Sequence, residues 1–268
     1  MSKTIFITGS STGLGRAAAL LFASRGWKVI ATMRKPEGDE LGKAPGITLL
    51  PLDVTKPAQI EAAARQALDL GPVDVVFNNA GYGLVGPLEG TSDEQIVGEI
   101  DTNLLGVIRT TKAFVPAFRA RGEGVFIATT SIGGLVTFPF NTTYHATKWA
   151  LEGWSESLAF ELAPFGIKVK TVAPGGIKTD FISRGLVLAQ HPAYADLAAK
   201  VFSVFGNPAR ASGGSTAEEI AEVVWEAATD GKDQVTYVAG NDAKQMFAKR
   251  LAAGAEAFRK VVAKEFLG

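Results

Sequence analysis

A doubly wound, mostly parallel α/β sheet flanked by helices is the fold that this 268-residue sequence predicts. Three observations carry that expectation. Short β-branched runs alternate with longer segments of helical periodicity, the rhythm of βαβ units. Most of the runs are apolar at nearly every position, as strands covered on both faces are. The first run ends in a glycine-rich turn that opens a helix, an arrangement found at the ligand crevice of such sheets.

The elements follow in order. "KTIFIT" at 3–8 reads as a strand and "GLGRAAALLFASRG" at 13–26 as a helix. The strand "KVIAT" follows at 28–32, then the strand "ITLLPLDV" at 47–54, the helix "PAQIEAAARQALDLG" at 57–71 and the strand "VDVVFNNAG" at 73–81. One long helical stretch covers 93–121, followed by the strand "GVFIATTS" at 124–131 and a helix from about 143 to 163. The series closes with the strand "IKVKTVAPG" at 167–175, a helix over 216–230 and the strand "QVTYVA" at 234–239. Residues 177–215 are too long for an ordinary connection; such excursions are commonly lids or binding loops, and a helical hairpin packed on the body is the competing reading. Residues 242–267, rich in Lys and Ala, read as one terminal helix docked on the body or on a partner subunit. With no internal repeat and no linker, residues 1–268 are expected to form a single domain.

Composition narrows the function classes. Lys plus Arg and Asp plus Glu number 27 each, and a chain without net charge is poorly suited to nucleic acid or an acidic membrane. The absence of cysteine excludes disulfides and thiolate metal sites, and His145 and His191 are too few for most zinc sites, so no metal is expected. The start of the chain enters a strand without a charged-then-apolar leader, and no apolar run approaches the ~20 residues that span a bilayer. A cytoplasmic protein is the expectation.

In "TGSSTGLGR", Thr8 to Arg16, Gly9, Gly13 and Gly15 sit where backbone must approach a pyrophosphate and where a helix N-terminus offers free N–H groups. Glycines that end a strand for steric reasons alone would look the same. Tyr144 and Lys148, four residues apart in a predicted helix, share one face. A phenol with a pKa near ~10 handles protons poorly at neutral pH unless a nearby ammonium favours its phenolate. His145 points about 100° away from Tyr144 around the helix, so a surface or interface role is expected for it. His191 reads as loop surface.

The spacing G-x-x-x-G-x-G resembles that of the short-chain dehydrogenase/reductase family. "NNAG" at 78–81, "DTNLLG" at 101–106, Ser131, "YHATK" at 144–148 and "PGGIKT" at 174–179 follow in family-like order. The resemblance implies a Rossmann-like fold and an oxidoreductase that moves a hydride between a nicotinamide and a secondary alcohol or ketone. Tyr144 is then the general acid in reduction and the base in oxidation. Lys148 tunes it and binds the nicotinamide ribose, Ser131 holds the substrate oxygen, and Asn103 holds a water that links Lys148 to solvent. Each of these also has a bland reading, as an amphipathic helix pair, a turn serine or a solvent-facing asparagine.

The same resemblance implies the cofactor contacts. The second strand runs into "VIATMRKP", where Met33 stands in place of a carboxylate and Arg34 follows, a pattern that favours NADP(H) over NAD(H), with Ser11 or Thr12 reaching the same phosphate. A solvated loop would also explain Arg34 and Lys35. Asp53 matches the family aspartate at the adenine amino group, with Val54 beside it, although a helix-capping aspartate would look alike. Leu14 and Gly15 belong to the phosphate loop, Asn79, Ala80 and Gly81 to the adenosine ribose side, and Pro174, Gly175, Ile177 and Thr179 to the nicotinamide carboxamide. The excursion's Phe181, Ile182, Leu186, Val187, Leu188, Tyr194, Val201, Phe202 and Phe205 suggest a hydrophobic or aromatic substrate, and the lean is towards the hydroxysteroid and retinol branch. A homodimer or homotetramer through the two long helices is the family expectation. A non-catalytic NADP(H)-binding regulator or scaffold is the alternative, disfavoured because Ser131, Tyr144 and Lys148 are all present. A sugar-nucleotide epimerase would need more residues after the last strand.

Overall fold

The computed structural model describes residues 2–178, 185–207 and 213–268. Its strands are β1 (Thr4–Ile7), β2 (Lys28–Met33), β3 (Ile47–Pro51), β4 (Val75–Asn78), β5 (Gly83–Val85), β6 (Gly124–Thr129), β7 (Ile167–Pro174), β8 (Ile177–Lys178), β9 (Leu186–Leu188), β10 (Ser215–Thr216) and β11 (Thr236–Ala239). Seven of them form one parallel sheet in the order β11-β7-β6-β4-β1-β2-β3. The order reverses between β1 and β4, which puts the ligand crevice at the carboxyl ends of these strands.

The helices are α1 (Gly13–Ser24), α2 (Pro57–Asp69), α3 (Asp93–Ile100), α4 (Gly106–Arg121), α5 (Thr142–Leu162), α6 (Ala195–Phe205), α7 (Ala217–Thr229), α8 (Asn241–Ala253) and α9 (Ala255–Leu267). The continuous apolar runs are explained by two cores, one on each face of the sheet. Ile5, Ile7, Val75 and Phe77 point into the core shared with α1 and α7. Phe6 and Val76, the alternate residues, point into the core under α2, α4 and the end of α5. Period-two alternation thus buries every position of β1 and β4, each large apolar side chain contributing roughly 1.5–3 kcal/mol.

Two helical expectations are corrected. The stretch 93–121 is not one helix but α3 and α4 joined by a π turn, Asp101–Leu105, in which Gly106 N–H donates to Asp101 O five residues back. A Cβ on Gly106 would lie 3.0 Å from Val54, so close packing on that residue requires the glycine. The expected single terminal helix over 242–267 is α8 and α9, broken at Gly254, whose φ of 81° and ψ of 162° are not helical.

The excursion is organised. β9 pairs with β5 and β10 with β8, and α6 packs on α9 in a third apolar core containing Val201, Phe258, Val262 and Phe266. Ile132 and Val136 belong to that core, so the excursion and the terminal helices are built against the segment that follows Ser131. Phe181 and Ile182 lie outside the described residues. Among the described residues no helix is long and apolar enough to cross a membrane.

Candidate active site

The glycine loop joins β1 to α1 at the crevice. Gly9 has φ +70°, and a Cβ there would lie 2.8 Å from the Ala80 Cα; one on Gly15 would lie 2.3 Å from Gly9 O and 2.5 Å from Asn79 Nδ2. Only glycine permits this approach of the loop to the end of β4. Asn79 ties the two together: its Nδ2 donates to Thr8 O and Gly9 O, its backbone N–H donates to Thr8 Oγ1, and its Oδ1 accepts from Thr129. Thr12 is the N-cap of α1, yet its hydroxyl caps nothing and the first turn holds no acid. The positive end of α1 is therefore open, as an anion site needs. Leu14 is buried in the core, so its backbone, not its side chain, is what it can offer a phosphate.

At the tip of β2, Met33 is turned into the core and Arg34 is exposed. Arg16 is paired with Asp39 at 2.9 Å, whereas Arg34 makes no ion pair among the described residues. Ser11 and Thr12 are exposed on the same rim. Asp53 does not cap α2, whose N-cap is Lys56, but closes a local turn: burial acts to raise its pKa, and hydrogen bonds from the Thr55 hydroxyl and N–H, with Lys56 and Arg34 nearby, leave it lowered. The Val54 side chain is buried in the core.

The proton-handling residues converge on the carboxyl end of β6. Ser131 caps a short 3₁₀ turn, its Oγ accepting from Gly133 N–H, and its hydroxyl acts to lower the pKa of the Tyr144 phenol. Lys148 Nζ donates to Thr129 O at 2.8 Å and stands 5.7 Å from the Tyr144 ring centroid. A Cβ on Gly134 would lie 2.8 Å from Lys148 O, so the glycine pair after Ser131 lets α5 seat closely. Burial pushes the Tyr144 phenol up to about 12, with Ser131 pulling it down and the Glu99 carboxylate adding to the rise. Burial also pushes Lys148 down to about 8, against the pull of Glu99 and Glu152.

Asn103 lies on the π turn, fully buried. Its side chain is committed to Tyr82, with Oδ1 accepting from the backbone N–H and Nδ2 donating to the carbonyl. Nδ2 also donates to Thr147 Oγ1 at 3.5 Å. Its nearness to Lys148 is set by Gly81, where a Cβ would lie 3.0 Å from Asn103 Oδ1 and 3.7 Å from Lys148 Nζ. π turns are common at functional sites.

His145 corrects the expectation of a surface or interface residue. It is buried; Nε2 accepts from Phe138 N–H, so Nδ1 carries the proton and donates to Gly133 O. The imidazole clamps the segment between Ser131 and α5. His191 caps the short turn before α6 and faces Glu89 at 3.7 Å.

Two side chains escaped sequence reasoning. Asp242 Oδ2 accepts from Gly176 N–H, and its carboxylate fills the space where a Gly175 Cβ would stand, 2.3 Å away. It fixes the turn after Pro174, while Ile177 enters β8. Thr179 lies outside the described residues. Glu99, four residues before Asn103, is fully buried beside Lys148 and Tyr144. Charged residues inside an apolar helix face are rare enough to be a signal; none was drawn from it.

A family model for short chain dehydrogenase matches residues 3–185. The chain is 40% identical over 199 residues to human 17-beta-hydroxysteroid dehydrogenase type 1, covering 69% of this chain and 60% of that protein. A solved short-chain dehydrogenase from Streptomyces avermitilis superposes with a TM-score of 0.85 at 32% identity, covering 99% of this chain and 96% of that one. A short chain dehydrogenase from Burkholderia cenocepacia, solved in complex with NADP, gives 0.77 at 27% identity over 100% and 98%.

Proposed function

Because the chain belongs to the short-chain dehydrogenase family, a family of oxidoreductases with nicotinamide cofactors, we propose that it is an NADP(H)-dependent alcohol dehydrogenase or carbonyl reductase. The observation that carries this reading is the placement of Tyr144, Lys148 and Ser131 together at the carboxyl end of β6, with the open N-terminus of α1 at the same edge of the sheet. When bound, the nicotinamide supplies or takes up the hydride.

The remaining work falls to the chain's own residues. The Ser131 hydroxyl donates to the substrate oxygen, where negative charge develops during reduction. Tyr144 delivers its phenolic proton to that oxygen and retrieves it in oxidation. The Lys148 ammonium stabilises the phenolate left behind. The backbone N–H groups at the start of α1 hold the pyrophosphate, and Asp242 holds the Gly175–Gly176 backbone in place for the carboxamide.

Arg34 supports NADP(H), since an exposed guanidinium that forms no ion pair among the described residues suits a 2′-phosphate. Asp53 and the backbone of Ala80 and Gly81 would line the adenosine end. A hydrophobic substrate is supported by the apolar core of the excursion beside Ile132 and Val136, and by the likeness to a hydroxysteroid dehydrogenase. The deciding experiment compares NADPH with NADH across ketones from cyclohexanone through acetophenone and 1-tetralone to a steroid ketone. Carbonyl-dependent oxidation of NADPH is expected; cofactor binding without any turnover would favour a redox-sensing regulator instead. We extend the proposal to a homodimer or homotetramer through α4 and α5, supported by Phe160 on α5, 81% exposed; light scattering reads the mass.

A further inference from the structure

Glu99 has a combination of features that packing does not require. It sits on α3, fully buried. One carboxylate oxygen, Oε1, accepts from Leu84 N–H at 2.8 Å, while Oε2 is buried without a hydrogen-bond partner among the described residues. A buried carboxylate with one unsatisfied oxygen is costly, and glutamine or leucine would pack an apolar interface at less cost.

Its location suggests what offsets the cost. The π turn that follows carries Asn103, and the two residues hold one segment: Asn103 binds the backbone of Tyr82, and Glu99 binds that of Leu84. That segment leads into β5, which pairs with β9 of the excursion. From α5, which packs on α3, Lys148 and Tyr144 feel the Glu99 charge, and from the segment before β5 so does Tyr82. Lys148 feels one further carboxylate, Glu152, which already accepts from the Thr171 and Thr236 hydroxyls. Asp101 on the π turn is paired with Arg109.

We infer that Glu99 is a positioning residue for the proposed reaction: its carboxylate is the internal counter-charge that keeps Lys148 an ammonium, and the same side chain anchors β5 and, through it, the excursion. The inference rests on the reading of Tyr144 and Lys148 given above. Burial raises Glu99 itself to about 7, opposed by Leu84 and Lys148, so its charge develops through neutral pH and is present in the range near 8 where Lys148 loses its proton.

Glu99→Gln separates charge from anchoring, because the amide oxygen still accepts from Leu84 N–H. Loss of the charge lowers the pKa of both Lys148 and Tyr144. The alkaline limb of ketone reduction, measured with NADPH and the panel ketone that the wild type reduces fastest, is expected to move down by about one pH unit. Glu99→Asp keeps the charge but is too short for Leu84; its limb stays with the wild type while KM for the ketone rises. An unchanged limb in Glu99→Gln, with NADPH binding intact, overturns the inference, as does a limb in Glu99→Asp that moves with Glu99→Gln. Should Glu99→Gln not fold, the limb of Glu99→Asp decides alone. Tyr144→Phe is run in parallel: loss of its turnover with an unmoved Glu99→Gln limb rejects only the role of Glu99, whereas retained turnover rejects the reading of the site and this inference with it.

Discussion

Lys148 Nζ lies 5.7 Å from the Tyr144 ring centroid while donating to Thr129 O at 2.8 Å. The ammonium is anchored to the end of β6, one helical turn from the phenol whose charge it is placed to stabilise. Tyr144→Phe removes the only atom of that ring that exchanges a proton. Turnover is expected to fall by ~10²–10⁴-fold, with NADPH affinity, read by fluorescence titration, within about threefold of the wild type because the loop at α1 is untouched.

The same pair sets a pH dependence. Burial holds Lys148 down at about 8, so its ammonium is present below that pH and lost above it. Tyr144, pushed up to about 12, stays a proton donor throughout the neutral range. The rate of ketone reduction is therefore expected to be level towards neutral pH and to fall as pH rises through about 8. A reduction rate that climbs through this range contradicts the assignment.

Arg34 stands exposed at the tip of β2, where Met33 leaves no carboxylate to repel a phosphate. Arg34→Ala is expected to raise KM for NADPH by ~10-fold, the loss of about 1.4 kcal/mol of charge-assisted bonding, and to leave KM for NADH within twofold. Steady-state kinetics with both cofactors on one ketone read the difference. Equal effects on the two would mean that the guanidinium does not meet the 2′-phosphate.

The sheet, its order of elements and the residues that converge at its edge were legible in the sequence because they depend on local pattern: alternation that buries both faces, and a glycine loop on the first βα turn. Tyr144 and Lys148 were legible as a pair because four residues make one helical turn. What was not legible depends on contacts far apart in the chain. The π turn at Asn103 sits where Gly106 packs against Val54, distant in the chain, and the break at Gly254 is a backbone angle that no periodicity reports. Asp242 reaches Gly176 across 66 residues. His145 was misjudged because its helical angle excludes Tyr144's face but does not say whether the face it occupies is wet.

Stability has its own buried charge. Lys170 on β7 is 1% exposed and donates to Asp230 at 2.6 Å and to Tyr237 at 2.8 Å. Burial acts to raise Asp230, but hydrogen bonds from Lys170 and Tyr237 outweigh it and bring it to about 2. Because the folded value lies below the unfolded one, the stabilisation is present above the ordinary carboxylate range and is lost as pH falls towards about 2. Lys170→Met is expected to lower the unfolding free energy by about 2 kcal/mol at neutral pH, since it removes the buried cation of the pair and its charge-assisted bond while Lys232, 3.6 Å from Asp230, and the Tyr237 hydroxyl remain. Denaturant melts at neutral pH and under acid conditions check both the loss and its disappearance with acid.

His145 is the sharpest test of whether Ser131 must be held. Its ring accepts from Phe138 N–H and donates to Gly133 O, and Gly133 N–H in turn donates to Ser131 Oγ. His145→Phe keeps a ring in the pocket but removes both hydrogen bonds that the imidazole makes to the backbone, at roughly 0.5–1.5 kcal/mol each. The segment that carries Ser131 then relaxes, and ketone turnover is expected to fall by ~10–100-fold while NADPH binding persists, as a 1 Å displacement of a positioning group predicts. The pH dependence has a definite sign. Burial lowers the His145 pKa from 6.5, so its contribution to stability is present above that value and lost as pH falls through the lower folded value, where a second ring proton would displace Phe138 N–H. The wild type should therefore lose thermal stability on mild acidification, and His145→Phe should lose less over the same interval. Parallel slopes for the two proteins would show that the imidazole is not the clamp that its hydrogen bonds describe.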